Sequence, residues 1–261
     1  MKIHVLLKKE EIDSIKMDDS KIAVVFDVLL ATSTITACLD YGAKQVIPVM
    51  DGAEALREAK KFPADEVALV GEYNGITIDG FLDPTPLGLK GEVMDKTVVL
   101  STTNGTVAIK KAASAKKVYI ASILNGKAVS KEIVNQDQDE TIMVVCSGSK
   151  DRFCIEDFYG AGYFINQLIY ENDSPVDLTD SALAAKLFYE NTKSLNVLHD
   201  SRVGRALEAY DCLEDITFVN QEGILPVIPH LLDGRIVDKN KHLVGERKID
   251  SEFKKYSGSK H

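Results

Sequence analysis

The chain has 261 residues, with 31 Lys plus Arg against 40 Asp plus Glu and a formal net charge of −9; 45% of its residues are hydrophobic and 27% charged. This is the balance of a globular protein with a sizeable core, and it excludes intrinsic disorder, a collagen-like repeat and a coiled coil as descriptions of the whole. The acidic surplus argues against nucleic acid or an anionic membrane as partner, since either needs a basic face.

In chain order, the opening segment Lys2-Ile3-His4-Val5-Leu6-Leu7 has an apolar stretch too short for the core of a signal peptide. The first strand signal is Ile22–Phe26, followed by Gln45–Val49, Val67–Val70, Thr97–Leu100, Val118–Ile120 and Thr141–Val145. Most of these read as continuously apolar, as strands covered on both faces do. Helical patterns lie between them at Ala53–Lys61, Thr106–Ala115 and Asn125–Asn135. From Cys154 onward the pattern turns mainly helical, over Ile155–Tyr170, Thr179–Asn191 and Ser201–Tyr210. A strand-like run, Ile216–Val219, then precedes an end punctuated by Pro and Gly. Strands alternating with helices predict an α/β fold, with repeated strand-loop-helix units around a mixed, largely parallel sheet. A single unit over residues 1–245 is expected, with two closely packed lobes (about 1–150 and 151–245) as the alternative, and a polar tail over 246–261.

No window approaches the roughly 18 uncharged apolar residues of a spanning helix. The longest tempting stretch, Val28–Leu39, is threonine-rich and ends at Asp40. Cys38, Cys146, Cys154 and Cys212 are scattered with neither a disulfide framework nor zinc-ligand spacing. A cytoplasmic location is the simplest expectation.

Ile22–Val49 and Val98–Ile120 echo each other as strand, polar loop and small-residue helix, ending in Gly-Ala-Lys-Gln-Val-Ile and Ser-Ala-Lys-Lys-Val-Tyr-Ile respectively. A third unit begins alike at Ile142. These units place polar loops at the carboxyl ends of strands, the edge where open α/β sheets bind ligands.

The first loop opens with Asp27, an acid placed directly after a buried strand and costly there unless paired, hydrogen-bonded or holding a metal. Thr32, Ser33 and Thr34 either cap the next helix or, with its free N–H groups, receive an anion. The second loop, Ser101-Thr102-Thr103-Asn104-Gly105-Thr106, offers hydroxyls, an amide and a residue pair tolerant of positive φ. It is either a phosphate cradle or a capped tight turn. It lacks the lysine of a nucleotide-binding P-loop. The third loop runs Cys146-Ser147-Gly148-Ser149-Lys150-Asp151-Arg152 and leads into Glu156 and Asp157. Its Cys-x5-Arg spacing is that of cysteine-dependent phosphatases, so Cys146 is an alternative nucleophile. Glu156 and Asp157 either complement a helix dipole or join Asp27 around a hard cation. At Ser201-Arg202-Val203-Gly204-Arg205, two arginines at a helix start run against the dipole preference and suggest a nearby anion.

Together, VVFDVLLATSTI at Val24–Ile35, Gly71-Glu72, Thr102–Thr106, VCSGSKDRFCIED at Val145–Asp157 and Ser201–Arg205 resemble the 2-phosphosulfolactate phosphatase family. The resemblance implies a Mg²⁺-dependent phosphohydrolase converting 2-phosphosulfolactate to 3-sulfolactate and phosphate, in sulfolactate or coenzyme M biosynthesis, and found as a homo-oligomer. Asp27, Asn104 and Glu156 would be catalytic, and Asp27, Glu72, Glu156 and Asp157 would hold Mg²⁺. A small phosphorylated hydroxyacid would meet Thr32, Thr102, Thr103, Gly105, Thr106, Ser147, Gly148 and Ser201, with Arg152, Arg202 and Arg205 answering its carboxylate or sulfonate.

Two departures stand out. The family's first motif usually carries an arginine where this chain has Leu30, and its GNSP-like segment corresponds to Asp83-Pro84-Thr85-Pro86, with Gly88 where an acid is expected. A lost arginine contact to an anion costs about 1.5–3 kcal/mol. A catalytically silent sensor for a phosphorylated hydroxyacid is therefore the alternative from another functional class.

Overall fold

The computed structural model describes residues 1–136 and 140–241. The expected tail over 246–261, and the boundary before it, lie outside the described residues.

The strands are β1 (Lys2–Leu6), β2 (Lys21–Phe26), β3 (Gln45–Val49), β4 (Val67–Tyr73), β5 (Ile76–Thr77), β6 (Thr97–Ser101), β7 (Lys117–Ala121), β8 (Thr141–Cys146), β9 (Asp177–Leu178), β10 (Pro229–Leu232) and β11 (Arg235–Asp238). The helices are α1 (Ala31–Asp40), α2 (Gly52–Ala59), α3 (Gly105–Lys111), α4 (Gly126–Gln136), α5 (Ile155–Glu171), α6 (Asp180–Glu190), α7 (Ser194–Asp200), α8 (Arg202–Glu208) and α9 (Leu213–Val219). All strands join one sheet in the order β5-β4-β6-β3-β11-β10-β7-β2-β8-β1-β9.

The sheet has two parallel sets. One contains β4, β6 and β3, the other β7, β2, β8, β1 and β9. The hairpin β10–β11 joins them, pairing antiparallel with β7 on one side and β3 on the other. Strand direction therefore reverses between the sets. Twist of roughly 20–25° per neighbouring pair accumulates across the five steps from β6 to β2 and swings their carboxyl ends towards one corner.

Packing follows strand alternation. In β2, Ile22, Val24 and Phe26 face a core shared with α4, α5 and α6, while Ala23 and Val25 face a second core. That second core also takes Val98 and Leu100 of β6, Val46 of β3, and Ile35, Cys38, Leu39, Ala108 and Ile109 from α1 and α3. Helices α1 and α3 are thus sandwiched between the two parallel sets, while α2 covers Ile47, Val49 and Val99 on the outer face. The two echoed units are the crossovers that make this sandwich. The β2–α1–β3 unit passes from one set to the other, and β6–α3–β7 passes back.

Burial all round explains the composition of α1, where every residue from Ala31 to Leu39 is buried. Its hydroxyls are satisfied internally: Thr32 Oγ1 donates to Asp27 O (2.9 Å), Ser33 Oγ to Val28 O (2.8 Å), Thr34 Oγ1 to Pro84 O (2.6 Å) and Thr36 Oγ1 to Thr32 O (2.8 Å). A buried hydroxyl left unpaired would cost about 1–3 kcal/mol.

Three sequence expectations are corrected. Ile216–Val219 is the end of helix α9, because Glu214 and Asp215 suit a helix start and Ile216 and Val219, three residues apart, bury on one face. The opening segment, considered only as a leader, is strand β1 in parallel register with β8. The Pro/Gly-punctuated end contains the joining hairpin, turned by Asp233 and Gly234 with φ of 49° and 77°, as an Asp-Gly turn permits.

The buried position of α1 makes a direct prediction. Ile35→Ala, at a fully buried site, is expected to lower unfolding free energy by about 2–5 kcal/mol. Leu56→Ala, at a half-exposed site on α2, should cost about 0.5 kcal/mol or less. Urea denaturation compares the two, and equal losses would contradict the sandwiched placement of α1.

Candidate active site

The loops after β2, β6 and β8 meet in a cleft of about 330 Å³, closed on its far side by α8. The N-termini of α1 and α3 approach closely there. A Cβ on Gly105 would lie 2.4 Å from Ala31 Cβ and 2.7 Å from Asp27 Oδ2. This glycine serves close approach. The expected positive φ at Asn104-Gly105 does not occur: Asn104 has φ −123°, and Gly105 begins α3. Gly148 does use the left-handed region, with φ 62°, and a Cβ there would lie 2.6 Å from Arg152 O and 2.9 Å from Lys8 Cβ.

Asp27, Glu156 and Asp157 are all buried at this corner. Asp157, in the first turn of α5, accepts from Val28 N (2.8 Å) at Oδ1 and from Gly148 N (3.0 Å) at Oδ2, tying the first loop to the third. Glu72 accepts from Thr103 N (2.6 Å), Thr103 Oγ1 (3.0 Å) and Gly75 N (2.7 Å), tying β4 to the second loop. Each oxygen of these two carboxylates thus meets at least one protein donor. Asp27 accepts from the Ala31 N–H, and Glu156 from its own N–H, Cys154 and Ser201.

Burial pushes the Asp27 carboxyl up to about 7, reinforced by the charges of Glu72 and Glu156 and opposed by Lys9 and the Ala31 N–H. Burial also raises Glu156, against hydrogen bonds from its own backbone N–H and Cys154 and the charge of Arg202. Asp157 is raised by burial, then by Asp27 and Glu156, with its two N–H donors pulling the other way. Burial thus leads all three shifts, and the neighbouring acids add to it for Asp27 and Asp157.

Asp27, Glu72, Thr102, Thr103, Asn104, Gly148, Glu156, Asp157 and Arg202 all line the cleft. Their roles divide. The Thr103 hydroxyl is spent on Glu72 and accepts from Asn74 N (2.8 Å). Thr102 Oγ1 accepts from Thr106 N (3.1 Å). The Arg202 guanidinium reaches Ser149 O at 3.4 Å and stands 4.0 Å from Cys154 Sγ.

Several residues expected to meet the ligand are engaged within the protein or lie outside the cleft lining. Thr32 closes the first loop by bonding both N and O of Asp27. Thr106 donates to Thr102 O (2.9 Å) and is fully buried. Ser147 does not line the cleft, and its buried Oγ has no partner among the described residues. Ser201 caps α8, accepting from Gly204 N (2.8 Å) and donating to Leu198 O (2.9 Å). Gly105 contributes close packing and is not in the lining. Arg152 is exposed and away from the cleft, its backbone paired with Ser149; Arg205 is also exposed and bonds Asp200 O.

The Cys146 alternative fails on geometry. The side chain is fully buried outside the cleft lining, and burial followed by Asp157 pushes its thiol well above the ordinary range. A thiolate nucleophile needs the opposite environment.

Residues missed in the sequence complete the site. Lys150 lines it beside Arg202. Lys9, behind the second loop, donates from Nζ to Asn104 Oδ1 at 2.9 Å. Recognising β1 as a strand would have placed Lys9 at its carboxyl end, on the same edge as the three loops. Leu29, Leu30, Val203 and Leu207 also line the cleft, apolar side chains that the polar motifs gave no hint of.

Among the described residues no group of three or more His, Cys, Asp or Glu side chains is arranged to hold a metal ion. The donor set nevertheless suits a hard cation of another kind. Mg²⁺ is commonly held by one or two carboxylates, with phosphate and water oxygens completing its shell, and Asp27 and Glu156 are two buried carboxylates lacking full charge balance.

A family model described as 2-phosphosulpholactate phosphatase matches residues 6–234. A probable 2-phosphosulfolactate phosphatase of Clostridium perfringens is 38% identical over 241 residues, covering 90% of this chain and 96% of that protein. One from Clostridium beijerinckii is 35% identical over 239 residues, with 90% and 99% covered. Another, from Symbiobacterium thermophilum, is 35% identical over 221 residues, with 83% and 94% covered.

The raised Asp27 carboxyl has a consequence for stability. Between its ordinary value of 3.8 and about 7 the folded state holds a proton that the unfolded chain releases, so stability falls as pH rises through that window. The penalty is complete above the folded value and absent below the unfolded one. Asp27→Asn is therefore expected to stabilise the protein by about 2–4 kcal/mol at pH ~8, with the gain vanishing by pH ~4. Chemical denaturation in EDTA across that range measures it, and a pH-independent difference would contradict the burial cost.

Proposed function

The chain belongs to the 2-phosphosulfolactate phosphatase family, and on that premise we propose that it hydrolyses 2-phosphosulfolactate to 3-sulfolactate and phosphate with Mg²⁺ as cofactor. The observation that carries this reading is the pairing, in one cleft, of buried carboxylates short of positive charge with an amide donor and the cations of Lys150 and Arg202. A phosphomonoester bearing further anionic groups complements that arrangement, and a bound cation relieves the repulsion among the acids.

Asp27 would hold the ion, with Glu156 the neighbouring carboxylate. Mg²⁺ bound there would neutralise phosphoryl oxygens and stabilise the departing alkoxide. Asn104 would donate to a phosphoryl oxygen from Nδ2, since its Oδ1 is already occupied by Lys9. Lys150 and Arg202 would receive the carboxylate and sulfonate, and the apolar wall of Leu29, Leu30, Val203 and Leu207 would limit water around them. Glu156, kept basic by burial, would take the proton of the attacking water as the new P–O bond forms. The ester P–O bond breaks, and the leaving oxygen recovers a proton from solvent. Asp157 and Glu72 act through the loops they brace.

Phosphate release from 2-phosphosulfolactate, and from 2-hydroxyacid phosphomonoesters without the sulfonate, tests this reading with Mg²⁺ and with EDTA. Multiple turnovers that EDTA abolishes are expected. Asp27→Asn should lower kcat/KM by about 10²-fold or more. Arg202→Met should raise KM by roughly tenfold. Full turnover by metal-free protein would remove Mg²⁺ from the account, and tight binding without turnover would make the protein a sensor.

A further inference from the structure

Asn104, the neutral donor of the cleft, is held from behind by a residue outside the cleft lining. Lys9 follows β1, and its backbone N–H donates to Ser147 O at 3.1 Å, anchoring it beside the loop after β8. It is only 6% exposed and is the one buried lysine or arginine among the described residues. Its ammonium pairs with Glu10 Oε1 at 2.9 Å and donates to Asn104 Oδ1 at 2.9 Å. An ion pair with Glu10 alone could form at the surface. Burying the ammonium is costly unless polar partners receive it, and Asn104 is the partner that draws it inward.

Asn104 stands immediately before α3, where an asparagine ordinarily caps the helix, yet its side chain makes no capping bond. It is turned to Lys9 instead. An ammonium has only donors, whereas an amide has one accepting and one donating end. The contact therefore decides which end of the amide faces the lysine. Oδ1 is consumed, and Nδ2, without a partner among the described residues, remains available on a residue that lines the cleft.

We propose that Lys9 is a positioning residue whose hold on Oδ1 presents the Asn104 amide NH₂, and not its oxygen, to the phosphoryl oxygens of the substrate. This rests on the phosphoester reading of the cleft. Without Lys9 the amide is free to turn over and direct an acceptor at an anion.

Inorganic phosphate binding by calorimetry, steady-state kinetics and the side-chain amide resonances of Asn104 test it in the full chain. Lys9→Met is expected to weaken phosphate binding and raise KM by about three- to tenfold, with a smaller change in kcat. Lys9→Arg, also a pure donor, should recover most of that loss. Lys9→Met added to Asn104→Ala should cost clearly less than Lys9→Met alone, the remainder being the Lys9 charge acting on Asp27. Lys61→Met is the control, since Lys61 pairs with Glu58 at 2.6 Å beside α2, outside the cleft lining, and should leave every readout unchanged. Should Lys9→Met not fold, Lys9→Gln replaces it, with an intermediate loss expected.

Equal losses in the wild-type and Asn104→Ala backgrounds would overturn the proposal, as would unchanged Asn104 resonances in Lys9→Met. If the wild type neither binds phosphate nor releases it from any phosphoester, the cleft reading has failed. The resonances then still report whether Lys9 orients Asn104, because Lys9→Met should move them and Lys61→Met should not.

Discussion

The Asp157 carboxylate fixes the geometry on which the cleft depends. From the first turn of α5 it accepts one backbone N–H from the loop after β2 and one from the loop after β8. Those loops carry Asp27 on one side and the route to Glu156 on the other. Concentrating three buried acids is unfavourable in itself, as their raised protonation equilibria record. The backbone donors offset part of that cost for Asp157. Asp27 and Glu156 each accept from a single backbone N–H, and on the proposed reading they are the pair left to meet a cation or a proton.

The architecture supplies the reason these loops can meet at all. In a simple open parallel sheet, carboxyl ends share an edge. Here the hairpin β10–β11 reverses direction between two parallel sets, so accumulated twist and the paired crossovers must bring the ends together. Helices α1 and α3 fill the space between the sets, and their N-termini meet where only Gly105 leaves room for Asp27 and Ala31. A fully buried α1 also explains its threonines. Hydroxyls there are small enough to pack and can return hydrogen bonds to the backbone, which removes them from the pool of substrate donors.

Much of this was legible in the sequence. The apolar runs Ile22–Phe26 and Thr141–Val145 were visible as strands because burial on both faces leaves no polar alternation, and the acids and polar residues after them do meet in one cleft. The echo between the first two units proved to be the pair of opposed crossovers. What the one-dimensional pattern could not show was orientation. Thr32, Thr106 and Ser201 have the chemistry of ligand donors but are consumed locally. Arg152, two residues from the cleft-lining Lys150, is carried outside by a turn in which Lys150 and Asp151 both have positive φ. Lys9 was hidden by a different cause. Its strand was short and terminal, and its partner Asn104 is 95 residues away.

The net charge of −9 can now be reconciled with an anionic ligand. Total charge governs long-range attraction, which salt screens over roughly 8–10 Å; occupancy of a cleft depends on the groups that face it. Lys150 and Arg202 line the cleft, and Lys9 lies behind it within electrostatic reach of Asp27. On the proposed reading, a ligand with phosphate, carboxylate and sulfonate together meets these cations and the buried carboxylates, with Leu30 adding no charge to the lining. Positive charge entering with the ligand would then favour its binding, and metal and substrate binding would be reciprocally favourable. Each would neutralise what repels the other, and the acidic surface elsewhere would not enter that balance.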